Sequence, residues 1–102
     1  MIAGRFPGET GMSFDIRHNA AAQRFETTVE GALCELDYRL AGGTMTITHT
    51  GVPPQLEGRG IASAMTQAAM ETARANGWKV TPACSYAVTW LRRHPEFADL
   101  RA

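Results

Sequence analysis

Past Met12, the first half of the chain alternates apolar and polar residues with period two, the pattern of strands that bury one face. Phe14 and Ile16 share one face, as do Phe25, Thr27 and Val29. Ala32, Cys34, Leu36, Tyr38 and Leu40 point one way, against Leu33, Glu35, Asp37 and Arg39. Met45, Ile47 and His49 then share a face against Thr44, Thr46, Thr48 and Thr50. The connections HNAAAQ, EGA and AGGT are short and suit antiparallel hairpins. This pattern predicts a four-stranded meander with one apolar face, which the second half of the chain must cover.

The rhythm changes after the glycines at 58 and 60. Ile61, Met65, Ala68, Ala69 and Ala73 recur at helical spacing from Ile61 to Asn76, and Gly77 stands where a left-handed cap ends a helix. WKVT reads as a short buried strand stopped by Pro82. A strand, a helix and a returning strand form a crossover unit, which sets the last strand parallel to TMTITH or close beside it. Cys84, Val88 and Leu91 mark one face of a short final helix, ended by His94-Pro95. The fold class is α+β: a mostly antiparallel sheet of about five strands, one main helix after the glycine loop, and a short C-terminal helix.

At 102 residues the chain suits one small domain. Residues 1–12, with three glycines and a proline, read as a flexible extension ahead of a domain over 13–102. Ten Lys plus Arg balance ten Asp plus Glu, so nothing in the charge points to nucleic acid or an anionic membrane surface. The two cysteines follow no metal-ligand spacing, and neither a signal peptide nor a long apolar run is visible. A cytoplasmic protein with free thiols and no metal is the expectation.

QLEGRGIASAM, residues 55–65, places two glycines around an arginine between a strand end and the main helix. A helix N-terminus offers unpaired N–H groups and partial positive charge, and glycines let a phosphate approach the backbone closely. Arg59 adds a cation. The loop is not a P-loop, because Ile61 and Ala62 follow Gly60 where Lys and Ser/Thr are required. Nor is it the dinucleotide fingerprint, whose third glycine is replaced by Ser63.

Gln55-x-x-Gly58-x-Gly60-Ile61-Ala62 resembles the Q/R-x-x-G-x-G/A motif with which the GNAT superfamily of N-acetyltransferases grips the pyrophosphate of acetyl-coenzyme A. The likeness is strongest to the short single-domain GNAT-like proteins, through His49-Thr50-Gly51-Val52-Pro53, Pro82-Ala83-Cys84-Ser85-Tyr86 and His94-Pro95, and it runs from about Phe25 to the C-terminus. It implies a minimal GNAT fold in which a bulged strand splays from its parallel neighbour and holds the pantetheine arm. Backbone groups near Val52 would pair with that arm, while Gln55, Glu57, Gly58, Arg59, Gly60, Ile61, Ala62 and Ser63 would form the pyrophosphate site. Gly51 suits the bulge or a close backbone approach.

The resemblance also implies the catalytic candidates. Cys84, at a helix start where the dipole favours thiolate, would accept the acetyl group or protonate the departing thiolate. His49 would act as base for the amine or orient Cys84. Tyr86 would be the hydroxyl acid, with core packing as its alternative. The resemblance also implies that the position of Gly51 is often acidic in the short relatives; here that carboxylate is missing, so the chain has either lost this base, which favours a module without turnover, or uses another group. Cys34 reads as core, Trp78 and Trp90 as core or interface, and Arg92 with Arg93 as a solvated edge. Three readings of function stand open: an acetyl-coenzyme A-dependent N-acetyltransferase acting on a protein or small-molecule amine, as monomer or weak homodimer; a coenzyme A-binding module without turnover; and a structural α+β interaction domain whose glycine loop is only a turn.

Overall fold

A computed structural model of the chain describes residues 6–7 and 13–102. Most of the expected extension over 1–12 lies outside the described residues. Within it, β1 (Phe6–Pro7) pairs antiparallel with β2 (Ser13–Phe14). The first expected strand divides here. Ile16 donates its amide to the Phe14 carbonyl two residues back (2.9 Å), and this tight turn separates β2 from β3 (Arg17–Asn19), where the main sheet begins.

The sheet continues with β4 (Arg24–Val29), β5 (Ala32–Ala41), β6 (Thr44–Gly51) and β7 (Lys79–Pro82). Its order is β3-β4-β5-β6-β7, with the first three pairings antiparallel and β6 parallel to β7. The last three strands of the meander form where the alternation predicts and the parallel strand where the crossover predicts, whereas β3 falls partly on the expected HNAAAQ connection. Between β6 and β7 runs α1 (Ile61–Asn76), bounded by left-handed glycines, Gly60 at φ 82° and Gly77 at φ 72°. Gly77 donates back to Ala73 and Arg74 carbonyls, a glycine cap that no β-branched residue could supply without strain.

Phe25, Leu36, Met45, Ile47 and Val80 carry the buried face of the sheet, and α1 covers it with Ala64, Met65, Ala68, Ala69, Met70 and Ala73. The alanines let the helix approach the strands closely, and each fully buried methionine contributes roughly 2 kcal/mol. Then α2 (Ser85–Arg93) buries Ala87, Trp90 and Leu91 in the same core, so its inward stripe lies beside the expected Cys84/Val88/Leu91 line. A 3₁₀ turn at Pro95–Leu100, with no counterpart in the sequence reading, adds Phe97 and Leu100, and Ala102 donates to Val80 to close the β7 edge (2.9 Å). No helix among the described residues is long and apolar enough to cross a membrane.

Candidate functional site

The β5/β6 ladder slips by one residue: Tyr38 faces Ile47, but Asp37 faces His49, leaving Thr48 as a bulge. Up to Ile47 the core phase of β6 is odd-numbered; beyond the bulge it is even. His49 is thus turned from the face of Met45 and Ile47, where unbroken alternation puts it, onto the face that carries Asp37 and Glu35. Its Nε2 lies 3.3 Å from Glu35 Oε2, and the imidazole is exposed. Thr50 takes the inward position instead and meets Cys84, with Oγ1 and Sγ 3.6 Å apart.

The same region is where β6 and β7 separate. Their pairing ends at Ile47↔Pro82, and the amides of Ala83 and Cys84 both turn back to the Ile47 carbonyl (2.9 and 3.2 Å) as the chain enters α2. From Thr48 onward β6 has no β7 partner, so its edge is open to a ligand. The expected splay is present, and its bulge is at Thr48 rather than Gly51. Gly51 shows the alternative feature, a close approach. A Cβ built on it would stand 2.8 Å from both Glu35 Oε2 and His49 Nε2.

Beside the splay lies a cleft of about 490 Å³. One wall is the end of β6 with Thr50, Gly51 and Val52; another is the loop with Leu56, Glu57, Gly58 and Gly60. The backbone at Ile61, Ala62 and Ser63 begins α1 here, and Tyr86 of α2 closes the far side. Gly58 and Gly60 adopt φ of 85° and 82°, which turns the chain sharply into the helix and which L side chains reach only with strain.

The helix start is uncapped. Its first internal bond runs from Ala64 N to Gly60 O (3.0 Å), no side chain accepts from the first turn, and no acidic residue occupies it. An N-cap and a first-turn carboxylate together contribute on the order of 1–2 kcal/mol to helix stability, and both are missing here. The amides of Ile61, Ala62 and Ser63 therefore remain available at the cleft.

Other expected site residues are arranged differently. Gln55 lies in an exposed 3₁₀ turn (Pro54–Leu56) and does not line the cleft. The Glu57 amide is engaged with the Pro54 carbonyl (3.2 Å). Arg59 pairs with Glu30 in the turn of the β4–β5 hairpin (2.7 Å). The Ser63 hydroxyl accepts from Trp90 Nε1 (2.9 Å), tying α1 to α2, so only its backbone is offered to the cleft. Cys84 is the half-buried N-cap of α2. Cys34, by contrast, is fully buried, and burial followed by the neighbouring Glu35 charge pushes its thiol pKa up, which suits the core role.

Four residues of the site are not among the expected site residues. Leu56, an apolar side chain in the glycine loop, is buried beneath the cleft. Thr50, Glu35 and Glu30 owe their positions to pairing between strands and hairpins far apart in sequence. Only the cross-strand register reveals them.

A mixed sheet split at a bulged strand, with an uncapped glycine-led helix start at the split, defines the class: an α+β fold with a cleft between two parting strands. Within that class, residues 24–100 match the family of GCN5-related N-acetyltransferases, and the chain belongs to it. A similar solved structure is the solution structure of a protein from Staphylococcus aureus described as a "GCN5-like putative N-acetyltransferase". It is 28% identical, with a TM-score of 0.71 over 87% of this chain and 88% of that one.

Proposed function

We propose that the protein transfers an acetyl group from acetyl-coenzyme A to a primary amine. The observation that carries this reading is the uncapped N-terminus of α1, opening on a cleft that continues into the β6/β7 splay. The first-turn amides and the Gly58–Gly60 backbone suit a pyrophosphate, which brings the negative charge the helix start lacks. The unpaired edge of β6 from Thr48 to Val52 supplies N–H and C=O groups for the pantetheine amides. That course brings the thioester toward Thr50, Cys84 and Tyr86.

There the amine nitrogen attacks the thioester carbonyl carbon, the carbon–sulfur bond breaks, and the departing thiolate takes a proton from Cys84 or Tyr86. The contact between Cys84 and Thr50 also favours a two-step course, in which the Cys84 sulfur first takes the acetyl group and the amine then removes it. The acceptor is a protein or small-molecule amine that reaches an open cleft.

Calorimetric titration with acetyl-coenzyme A, using wild type and Ala62→Glu, tests the reading. A glutamate in the first helical turn favours the helix and repels a phosphate, so this variant should keep its fold and lose at least about tenfold in affinity. Wild type that shows no binding at about 1 mM ligand, roughly −4 kcal/mol, sinks the proposal.

A further inference from the structure

The 3₁₀ turn after α2 sorts its side chains into three rows. Such a turn repeats every three residues, so side chains at i and i+3 eclipse. Over Pro95–Leu100 and the residue that follows, Phe97 and Leu100 point into the core, Glu96 and Asp99 form a second row, and Pro95, Ala98 and Arg101 form a third. The acidic row is taken up on the side of α1 and β7. Arg74 of α1 donates to both carboxylate oxygens of Asp99 (3.0 and 3.2 Å) and to the Glu96 carbonyl, and Lys79 of β7 donates to the Asp99 carbonyl. The third row is left beside the C-terminal end of α2. A shallow hollow of about 260 Å³ opens there, lined by Leu91, Arg92, Pro95, Ala98 and Arg101.

Arg92 and Arg93, read from the sequence as a solvated edge, and Arg101 are all exposed, and none forms an ion pair among the described residues. Arg24, Arg59 and Arg74 are matched with Asp37, Glu30 and Asp99. A chain of zero formal net charge therefore carries a local excess of cation around an apolar floor. Guanidinium forks on two sides of a hollow suit carboxylates, which they bind with paired hydrogen bonds. The surface of Leu91, Pro95 and Ala98 between them suits an apolar side chain next to those carboxylates.

We propose that this hollow docks an acidic segment of a partner protein. An apolar residue flanked by carboxylates seats on Leu91, Pro95 and Ala98, Arg92 and Arg101 hold the carboxylates, and Arg93 adds attraction at longer range. Phosphate polymers fit the surface less well. Duplex DNA is gripped through about 6–10 phosphate contacts and anionic membranes by clusters of about 4–8 cations, whereas here three arginines surround an apolar patch. The proposal stands apart from the acetyl-transfer reading. No residue of the hollow lines the cleft, and Tyr86, which does, lies about 9 Å of helix before Arg92.

The test is an amide chemical-shift titration of the isotope-labelled protein with an N-acetylated Gly-Glu-Leu-Glu-Gly amide. Saturable shifts should concentrate at Leu91, Arg92, Ala98 and Arg101 and leave the Gly58–Ser63 backbone unmoved. Arg92→Gln and Arg101→Gln should each weaken binding by about 3- to 5-fold, the upper range for an exposed ion pair, and together by about tenfold. Ala98→Glu, which sets a carboxylate among the arginines, should abolish it. These positions are exposed, so the variants should keep the wild-type spectrum elsewhere. Arg17→Gln, on the far strand β3, should leave binding unchanged. Replacing both peptide glutamates by glutamine, or its leucine by glycine, should weaken the peptide by about 3-fold or more. No saturable shift at about 10 mM peptide, equal binding of the glutamine or glycine peptide, or a loss in Arg17→Gln as large as in the hollow's own arginine variants would overturn the proposal. Tighter binding of a thymidine oligonucleotide or of phosphatidylglycerol vesicles at the same amides would also overturn it and assign the surface to phosphates.

Discussion

Thr50 Oγ1 stands 3.6 Å from Cys84 Sγ, linking the end of the bulged strand to the N-cap of α2. The one-residue slip at Thr48 creates this contact by turning Thr50 inward. If the thiol handles the proton or the acetyl group, Cys84→Ala should slow coenzyme A release by about 100-fold or more while leaving acetyl-coenzyme A affinity within a few-fold. Steady-state thiol release and calorimetry measure the two quantities. Intact mass after mixing with acetyl-coenzyme A, without an amine, distinguishes acetyl-Cys84 from a proton-donor role. Turnover of Cys84→Ala at the wild-type rate would remove the thiol from the mechanism.

Arg59 and Glu30 form a surface pair, 2.7 Å apart with both side chains well exposed, so it adds little to stability, about 0–1 kcal/mol. Under the acetyl-coenzyme A reading its consequence lies in ligand binding, because the same guanidinium belongs to the residue between Gly58 and Gly60. Glu30→Gln should release Arg59 and raise acetyl-coenzyme A affinity by about 1.4- to 5-fold, the range of one exposed ion pair. Arg59→Ala should lower it, and the effect should fade at high salt. Equal affinity for wild type and both variants across a salt series would show that Arg59 never meets the phosphates.

What could be read from the sequence follows from which interactions are local. The helix from Ile61 to Asn76 matches its expected bounds because both ends are set by glycines with positive φ, a property of single positions. The glycine loop was legible for the same reason. His49 was set on the wrong face because Thr44 to Thr50 alternates without a break. The bulge at Thr48 is fixed by pairing with β5 and leaves no mark in the strand's own residues. Glu35 falls on the face of its strand opposite Cys34 and Leu36, and Glu30 in the EGA connection, and neither belongs to a motif. Only their cross-strand and cross-loop neighbours, Gly51 with His49 and Arg59, give them another meaning. The 3₁₀ turn after Pro95 was missed because its two buried residues, Phe97 and Leu100, are too few to set a period.

His18 introduces a pH dependence away from the cleft. It stacks on Phe25 with ring centroids 4.2 Å apart, its Nε2 lies 2.6 Å from Tyr38 Oη, and burial lowers its pKa below the ordinary value of 6.5. The folded state then binds the proton less readily than the unfolded state. Stability is fully present above pH 6.5 and falls as pH drops below it toward the folded pKa. Chemical denaturation at pH 7.5 and 5.5 should show this loss, and His18→Gln, which can still bond Tyr38, should show a smaller one. An identical pH slope in the variant would assign the loss to other groups.

Ser63 separates backbone from side chain in the first turn of α1. Its hydroxyl accepts from the buried Trp90 indole (2.9 Å), whereas its amide is one of the three at the open start of α1. Ser63→Ala leaves the indole N–H without its partner and should cost about 1–3 kcal/mol. In a domain of this size that corresponds to a fall in Tm of about 4–8 °C per kcal/mol. The amide is untouched, so acetyl-coenzyme A affinity below the melting transition should stay within a few-fold of wild type, as calorimetry would report. A large loss of affinity with little change in Tm would mean that the hydroxyl, not the amide, meets the phosphate, and that the bond to Trp90 exchanges on binding.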